Sequence, residues 1–265
     1  MTLEAQALDR LGDELFSALR ARHMLDPLTD RYPDLAIEDA YRISLRFLEH
    51  RKADGERVIG KKIGVTSKAV QDMLNVHQPD FGFLTDTMRV ANGATVSFAQ
   101  SRLIQPRAEG EIAFVLKHDL KGPGVTKEQV LEATDYVVPC FEIVDSRIRN
   151  WKIKIQDTIA DNASSGVFLL GMPTFAPGKI DLANVKVNLY RNEELCGSGV
   201  GSAVQGHPAT AVAWLANTLG QFGIPFLKGE IILSGSVTPL VDARIGDRFR
   251  LDLGGVGQAT VSFEA

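Results

Sequence analysis

Pro106-Arg-Ala-Glu-Gly-Glu-Ile-Ala-Phe-Val-Leu-Lys117 reads as a β-strand carrying two carboxylates on one face. Side chains two apart along a strand point the same way, so Glu109 and Glu111 stand together while Ile112, Phe114 and Leu116 face the opposite side. Like charges this close raise each other's pKa unless a cation or a shared proton relieves them. A divalent ion is the economical relief; two solvated glutamates on an exposed edge are the ordinary alternative. Farther along, Val137-Val-Pro-Cys-Phe-Glu-Ile-Val144 is an apolar run with a single carboxylate, Glu142, at its centre. An unpaired charge there is strongly disfavoured, so Glu142 needs a partner: Arg147, another basic side chain, or the same cation. Three glutamates form a hard, all-oxygen ligand set that suits Mg2+ or Mn2+ rather than Zn2+ and leaves positions for water and a chelating substrate.

Around these strands the texture is α+β. Leu8, Leu11, Leu15, Phe16 and Leu19 recur at helical spacing from Leu3 to about Arg22, and a second helical pattern runs from about Ile37 to Lys52. Val58–Val65 predicts a short strand, and Ser67 is placed to cap a helix through about Leu74. Beyond residue 80, short β-rich runs dominate: Thr95–Phe98, Glu111–Lys117, Tyr136–Val144, Val185–Tyr190, Glu230–Leu233, Phe249–Leu253 and Ala259–Phe263. Helical patterns intervene at about Lys127–Thr134 and His207–Phe222, the latter with Trp214 in the core. The expected organisation is a mainly helical N-terminal segment, 1–80, packed on a β-rich catalytic domain, 81–265.

The 265 residues, 45% apolar and 23% charged, provide for a buried core and argue against intrinsic disorder. A net charge of −4 without a basic run excludes the electrostatic footprint of nucleic-acid binding. The apolar stretches fall short of the ~20 residues that a membrane span needs. The N-terminus lacks a basic region followed by an apolar one, so a cytoplasmic protein is expected. Cys140 and Cys196 are too sparse for a disulfide or zinc framework and are read as free thiols.

Lys61 and Lys62 fall on opposite faces of the proposed strand, so at most one faces a pocket. Asp80, between Pro79 and Phe81, has turn formation as its ordinary role. Asp157 and Asp161, four apart, suit a helix cap or a solvated face and are assigned no chemistry. The glycine-rich stretches 197–206 and 254–257 lack a strand–loop–helix context for phosphate and read as turns.

Six motifs in order, Gly60-Lys-Lys-Ile-Gly-Val-Thr-Ser67, Gln78-Pro-Asp-Phe-Gly82, Pro106-Arg-Ala-Glu-Gly-Glu111, Phe141-Glu-Ile-Val-Asp-Ser-Arg147, Asp157-Thr-Ile-Ala-Asp-Asn-Ala-Ser164 and Leu233-Ser-Gly-Ser-Val-Thr238, carry a resemblance. Together they are similar to the hydratase/decarboxylase branch of the fumarylacetoacetate hydrolase superfamily over nearly the whole chain. The resemblance implies Glu109, Glu111 and Glu142 as ligands of Mg2+ or Mn2+, Lys62 and Asp80 as catalytic groups, and Ser164, Ser165 and Thr238 as residues lining a substrate pocket. It also implies a hydro-lyase that converts 2-hydroxypenta-2,4-dienoate and water to 4-hydroxy-2-oxopentanoate in meta-cleavage catabolism of aromatic compounds. Proximity of the metal is expected to lower the Lys62 pKa. Decarboxylation of 2-oxohex-3-enedioate (4-oxalocrotonate) is the alternative activity, and Ser165, standing where the hydratase pattern has cysteine, leans that way. A non-catalytic subunit of such a decarboxylase is a further alternative. The partners implied are the small-molecule dienoate, further copies of the chain in a homo-oligomer and a related decarboxylase.

Overall fold

The structure is a computed structural model that describes residues 4–68, 71–72 and 75–265; the helix expected from Ser67 through about Leu74 lies partly outside them. Its α+β class agrees with the sequence reading. Helix α1 (Ala5–Ala21) buries Leu8, Leu11, Leu15 and Leu19, the stripe its spacing predicted, and ends at Arg22 in a left-handed conformation. A short α2 (Leu28–Arg31) leads to α3 (Ile37–Ala53). Helix α3 has Glu38 and Asp39 in its first turn and His50, Arg51 and Lys52 in its last, signs that complement the helix dipole. The apolar faces of α1 and α3 pack with Ile155 and Ile159 into one helical cluster.

Two sheets follow. The larger has the order β2-β1-β9-β4-β5-β6, with β10 also paired to β4. Its strands are β1 (Val58–Gly64), β2 (Asp80–Thr85), β4 (Arg107–Leu116), β5 (Thr134–Val144), β6 (Ser165–Leu170), β9 (Ile231–Ser236) and β10 (Val241–Asp242). The smaller has the order β3-β12-β11-β7-β8, from β3 (Thr95–Ser97), β7 (Lys186–Arg191), β8 (Glu194–Val200), β11 (Arg248–Leu253) and β12 (Gly257–Glu264). Neighbours run antiparallel apart from the parallel pairs β1–β9 and β3–β12. Ile112, Phe114 and Leu116 do face away from the glutamates; with Phe141 and Ile143 they meet Leu189, Phe249, Leu251 and Val261 of the smaller sheet. Helices α4 (Lys127–Ala133) and α6 (Pro208–Gly220) flank this core. No helix among the described residues is long and apolar enough to cross a membrane.

Strands β2, β6 and β8 differ from the sequence reading, and the two-residue β10 is not anticipated by it. Asp80 begins β2 instead of forming a turn, because Phe81 and Phe83 bury against the core while β1 supplies the ladder. Residues 197–200, read as a turn, belong to β8, where pairing with β7 overrides the low strand preference of glycine. Strand β6 forms because β5 presents a free edge to Val167 and Phe168.

The chain between β5 and β6 is held by buried charge. After α5 (Ile155–Ala160), Asn162, Ala163 and Ser164 take φ of 53°, 51° and 52°, a run of left-handed residues that is costly without glycine. Arg147 anchors it, donating from Nη1 to Ser165 O at 3.0 Å and from Nη2 to Asp161 O at 2.7 Å while its Nε meets the Asp161 carboxylate. Asp157, equally buried, accepts from Thr29 Oγ1 at 2.7 Å and from Lys154 N at 2.9 Å. Both aspartates thus act as internal fasteners, and only the capping half of the sequence reading applies, to Asp157. Asp161→Asn should cost about 3–5 kcal/mol of stability by leaving Arg147 buried without its counter-charge, measured as the shift in a urea unfolding curve.

Candidate metal and active site

Strand β4 lies between β5 and β9, so its polar face is the floor of a site walled by both. Glu109 and Glu142 are directly opposed across β4 and β5, and Glu111 is opposed by Cys140 on one side and Ser236 on the other. Each of the three glutamates offers an oxygen within 4.8 Å of the others'. They are 6%, 0% and 1% exposed, which removes the solvated-edge alternative.

Next to β9, β1 carries Lys62 on the site face, and its Nζ lies 3.2 Å from Glu142 Oε1. Lys61 diverges as its position requires, with Nζ 2.6 Å from Glu230 Oε1 and 5.2 Å from the centre of the Phe226 ring. The partner of Glu142 is therefore Lys62, while Arg147 is committed to Asp161. Strand β2 adds Asp80, opposite Gly64 of β1. A side chain at position 64 would overlap the Asp80 carboxylate and crowd the Lys62 ammonium, so glycine is what lets the two charged groups sit together.

One ammonium faces four carboxylates, and all five groups are buried. Burial and the Glu142 carboxylate push Glu109 up to about 8, with Lys62 opposing. Burial, then Glu142 and Glu109, drive Glu111 well above the usual carboxylate range. Burial also raises Glu142 against the pull of Lys62, and raises Asp80 against Lys62, the Gly64 N–H and the Thr158 hydroxyl. Burial disfavours the Lys62 ammonium, but Glu142, Asp80, Glu109 and Glu111 together outweigh it and hold the lysine above its ordinary value. The protein's own groups thus move Lys62 in the direction opposite to that expected from a neighbouring cation.

These donors fit a hard cation. The Gly235 N–H, on a residue with φ of 110°, donates to Glu111 Oε2 at 2.8 Å and leaves Oε1 without a hydrogen-bond partner among the described residues. Neither oxygen of Glu142 has an aligned donor there either. Buried, unsatisfied carboxylate oxygens that converge are what a metal ion relieves.

The three expected pocket residues have other neighbours. Thr238 Oγ1 accepts from Gly110 N at 2.9 Å, tying the loop after β9 to the strand of the glutamates. Ser164 Oγ lies 3.2 Å from Thr158 Oγ1, and Ser165 Oγ donates to Asn162 O at 2.7 Å. Sequence reasoning passed over Thr158 and Asn162. Asn162 brackets β2 by accepting from Phe83 N at 2.8 Å and donating to Phe83 O at 2.9 Å, a signal that no local periodicity contains.

Residues 51–264 match the fumarylacetoacetate (FAA) hydrolase C-terminal family, and the chain belongs to that family. It is 62% identical over 98% of both chains to a 2-hydroxyhexa-2,4-dienoate hydratase of Comamonas testosteroni. To a 2-hydroxypent-2,4-dienoate hydratase of Pseudomonas putida it is 58% identical, over 84% of this chain and 100% of that one. The fold superposes with a TM-score of 0.94 and 33% identity, over 98% of each chain, on 4-oxalocrotonate decarboxylase from Pseudomonas putida G7 complexed with magnesium and adipate.

A cation entering this site must displace the proton that Glu109 keeps below pH of about 8. Affinity for Mn2+ should therefore rise with pH from about 6.5 to about 8, with proton release on binding at the lower pH, as calorimetry in buffers of different ionisation heat measures.

Proposed function

We propose that the chain is a metal-dependent hydro-lyase that adds water to 2-hydroxypenta-2,4-dienoate, giving 4-hydroxy-2-oxopentanoate. The observation that carries this reading is the convergence of three buried glutamates beside Lys62 and Asp80. The 62% identity to a hydratase named for the six-carbon dienoate supports the same chemistry on the longer homologue. Decarboxylation of 4-oxalocrotonate is the second reading, favoured by the 0.94 superposition on such an enzyme. A complete set of chelating and proton-transfer groups supports an active enzyme rather than a passive subunit.

Glu109, Glu111 and Glu142 would hold Mg2+ or Mn2+. When bound, the cation supplies Lewis-acid polarisation of the C2 oxygen and offsets the charge that grows there. Lys62 holds its proton at Nζ between Glu142 and Asp80, a position suited to donating toward an enolate oxygen. Hydration needs the 2-hydroxyl proton to leave as one is delivered to C5 of the dienol, giving an α,β-unsaturated 2-oxo acid, and then attack of water at C4 with loss of one water proton and a proton added at C3. Asp80, whose proton affinity burial raises, is the group assigned to take the proton of that water. Ser164 and Thr238 would bound the pocket, and Ser165 would shape it through its bond to Asn162. The same reading includes a cytoplasmic homo-oligomer, with a related decarboxylase as a partner.

Incubating the purified chain with the five-carbon dienoate, its six-carbon homologue and the dicarboxylate, each with and without Mg2+, tests the reaction. Loss of dienoate absorbance that requires the ion, without CO2 from the dicarboxylate, is expected; CO2 release with the dienoate untouched overturns the hydratase. Lys62→Ala should lower turnover by about 100-fold or more, as expected for removal of a proton-transfer group. Glu109→Gln should weaken Mn2+ affinity and turnover together, whereas unchanged metal dependence would remove Glu109 from the ligand set.

A further inference from the structure

A cavity of about 90 Å3 lies where the C-terminal ends of α1 and α3 meet the chain after β3 and the turn between β5 and β6. Four of its lining residues are arginines: Arg20 from α1, Arg51 from α3, Arg102 after β3 and Arg147 after β5. Two are almost fully enclosed, Arg51 at 5% and Arg147 at 1% exposure. Their guanidinium centres share one aromatic neighbour, lying 6.0 and 5.8 Å from the centre of the Phe47 ring. Like charges gathered in a partly desolvated space repel, so the arrangement calls for anions.

The carboxylates present answer only part of that demand. Glu56 is shared, with Oε1 2.7 Å from Arg20 Nη2 and Oε2 2.8 Å from Arg51 Nε. Burial raises Glu56, but Arg51, the Thr85 hydroxyl and Arg20 together bring it down to about 2. Asp54, which Arg20 also meets, is half exposed and its charge is screened. Asp161 is taken by Arg147. Asp145, the one carboxylate among the described residues of the cavity wall, accepts from the N–H groups of Ile104 at 3.0 Å and Gln105 at 2.7 Å. Burial lowers Arg51 most; Glu56 opposes this, and Arg147 and Arg20 add to it, which leaves the cation short of counter-charge. The exposed Arg102 guanidinium has no hydrogen bond or ion pair among the described residues, and the Nη1 groups of Arg20 and Arg51 are likewise unused there.

We propose that the cavity binds one small oxyanion of the phosphate or carboxylate class, gripped by the Nη1 groups of Arg20 and Arg51 and by the Arg102 guanidinium. Guanidinium donors form a fork that matches either oxyanion. The volume falls well below the ~300–1,000 Å3 of cavities that take drug-sized ligands, so an ion of this size with its water is what fits. Because two of the arginines come from helices and the third from the chain beyond β3, the anion joins the helices to the sheets. The inference is independent of the hydration reading, since neither the three glutamates nor Lys62 takes part.

Titration calorimetry on the purified chain, without added metal and at constant ionic strength, tests the site with inorganic phosphate and with acetate as probes. Saturable binding of one equivalent is expected, and the tighter probe distinguishes a phosphate from an organic carboxylate as the source. Arg102→Gln should weaken binding by about 10-fold or more, the scale of losing hydrogen bonds to a charged group, and Arg102→Glu should abolish it. Both variants should fold, because Arg102 is exposed and its side chain is unpaired among the described residues. No saturable binding of either probe, or equal binding by the parent and both variants, overturns the assignment. In parallel, the better probe should raise the thermal midpoint of the parent but not of Arg102→Glu. An equal rise in both is the general salting effect of the anion and counts against the site.

Discussion

The structure is organised by the burial of four carboxylates around one ammonium. Lys62 cannot neutralise Glu109, Glu111, Glu142 and Asp80, and their burial keeps bulk solvent from screening them. Protons or a hard cation must complete the balance, and the carboxylates' raised proton affinities express that deficit. A site of this kind is poor for stability, because four buried carboxylates repel one another and a single ammonium cannot offset them. Its persistence requires a frame stiff enough to hold like charges together.

That frame is the larger sheet. Strand β4 sits between β5 and β9, so three elements remote in sequence deliver the glutamates and the Gly235 N–H to one face, while the opposite face locks against the smaller sheet. Position along each strand is set by pleat and register, and a slip of one residue would send every carboxylate into the apolar core. The parallel pairing of β1 with β9 brings Lys62 into line, and the antiparallel pairing with β2 brings Asp80 opposite Gly64. The buried Arg147–Asp161 pair plays a similar part outside the sheet, holding the left-handed turn that leads into β6.

Much of this was legible in order of sequence. The alternation around Glu109 and Glu111, the isolated charge of Glu142 in an apolar run and the opposition of Lys61 to Lys62 are all consequences of a period of two, which is a local property of strands. The leucine stripe of α1 and the spacing of α3 were equally local. Less visible were β2, β6 and β8, whose sequences begin after proline, after a strained turn or in a glycine-rich stretch; they are strands because a neighbour supplies the ladder. The aspartates of residues 157–161 read as a helix cap or a solvated face; the cap holds for Asp157, but the buried partners Thr29 and Arg147 lie far away or across a turn and were not legible.

By itself, the amino-acid order determined which residues share a face, that Glu142, alone in an apolar run, would need a partner, and that helices precede a β-rich region. Only the tertiary structure decided that Glu142 meets Lys62 rather than Arg147, that Asp80 belongs to a strand, and that the hydroxyls of Thr158 and Ser164 come together. The physical reason is that periodicity fixes direction within one element, whereas the pairing of charges depends on register between elements and on which carboxylate reaches a given cation first.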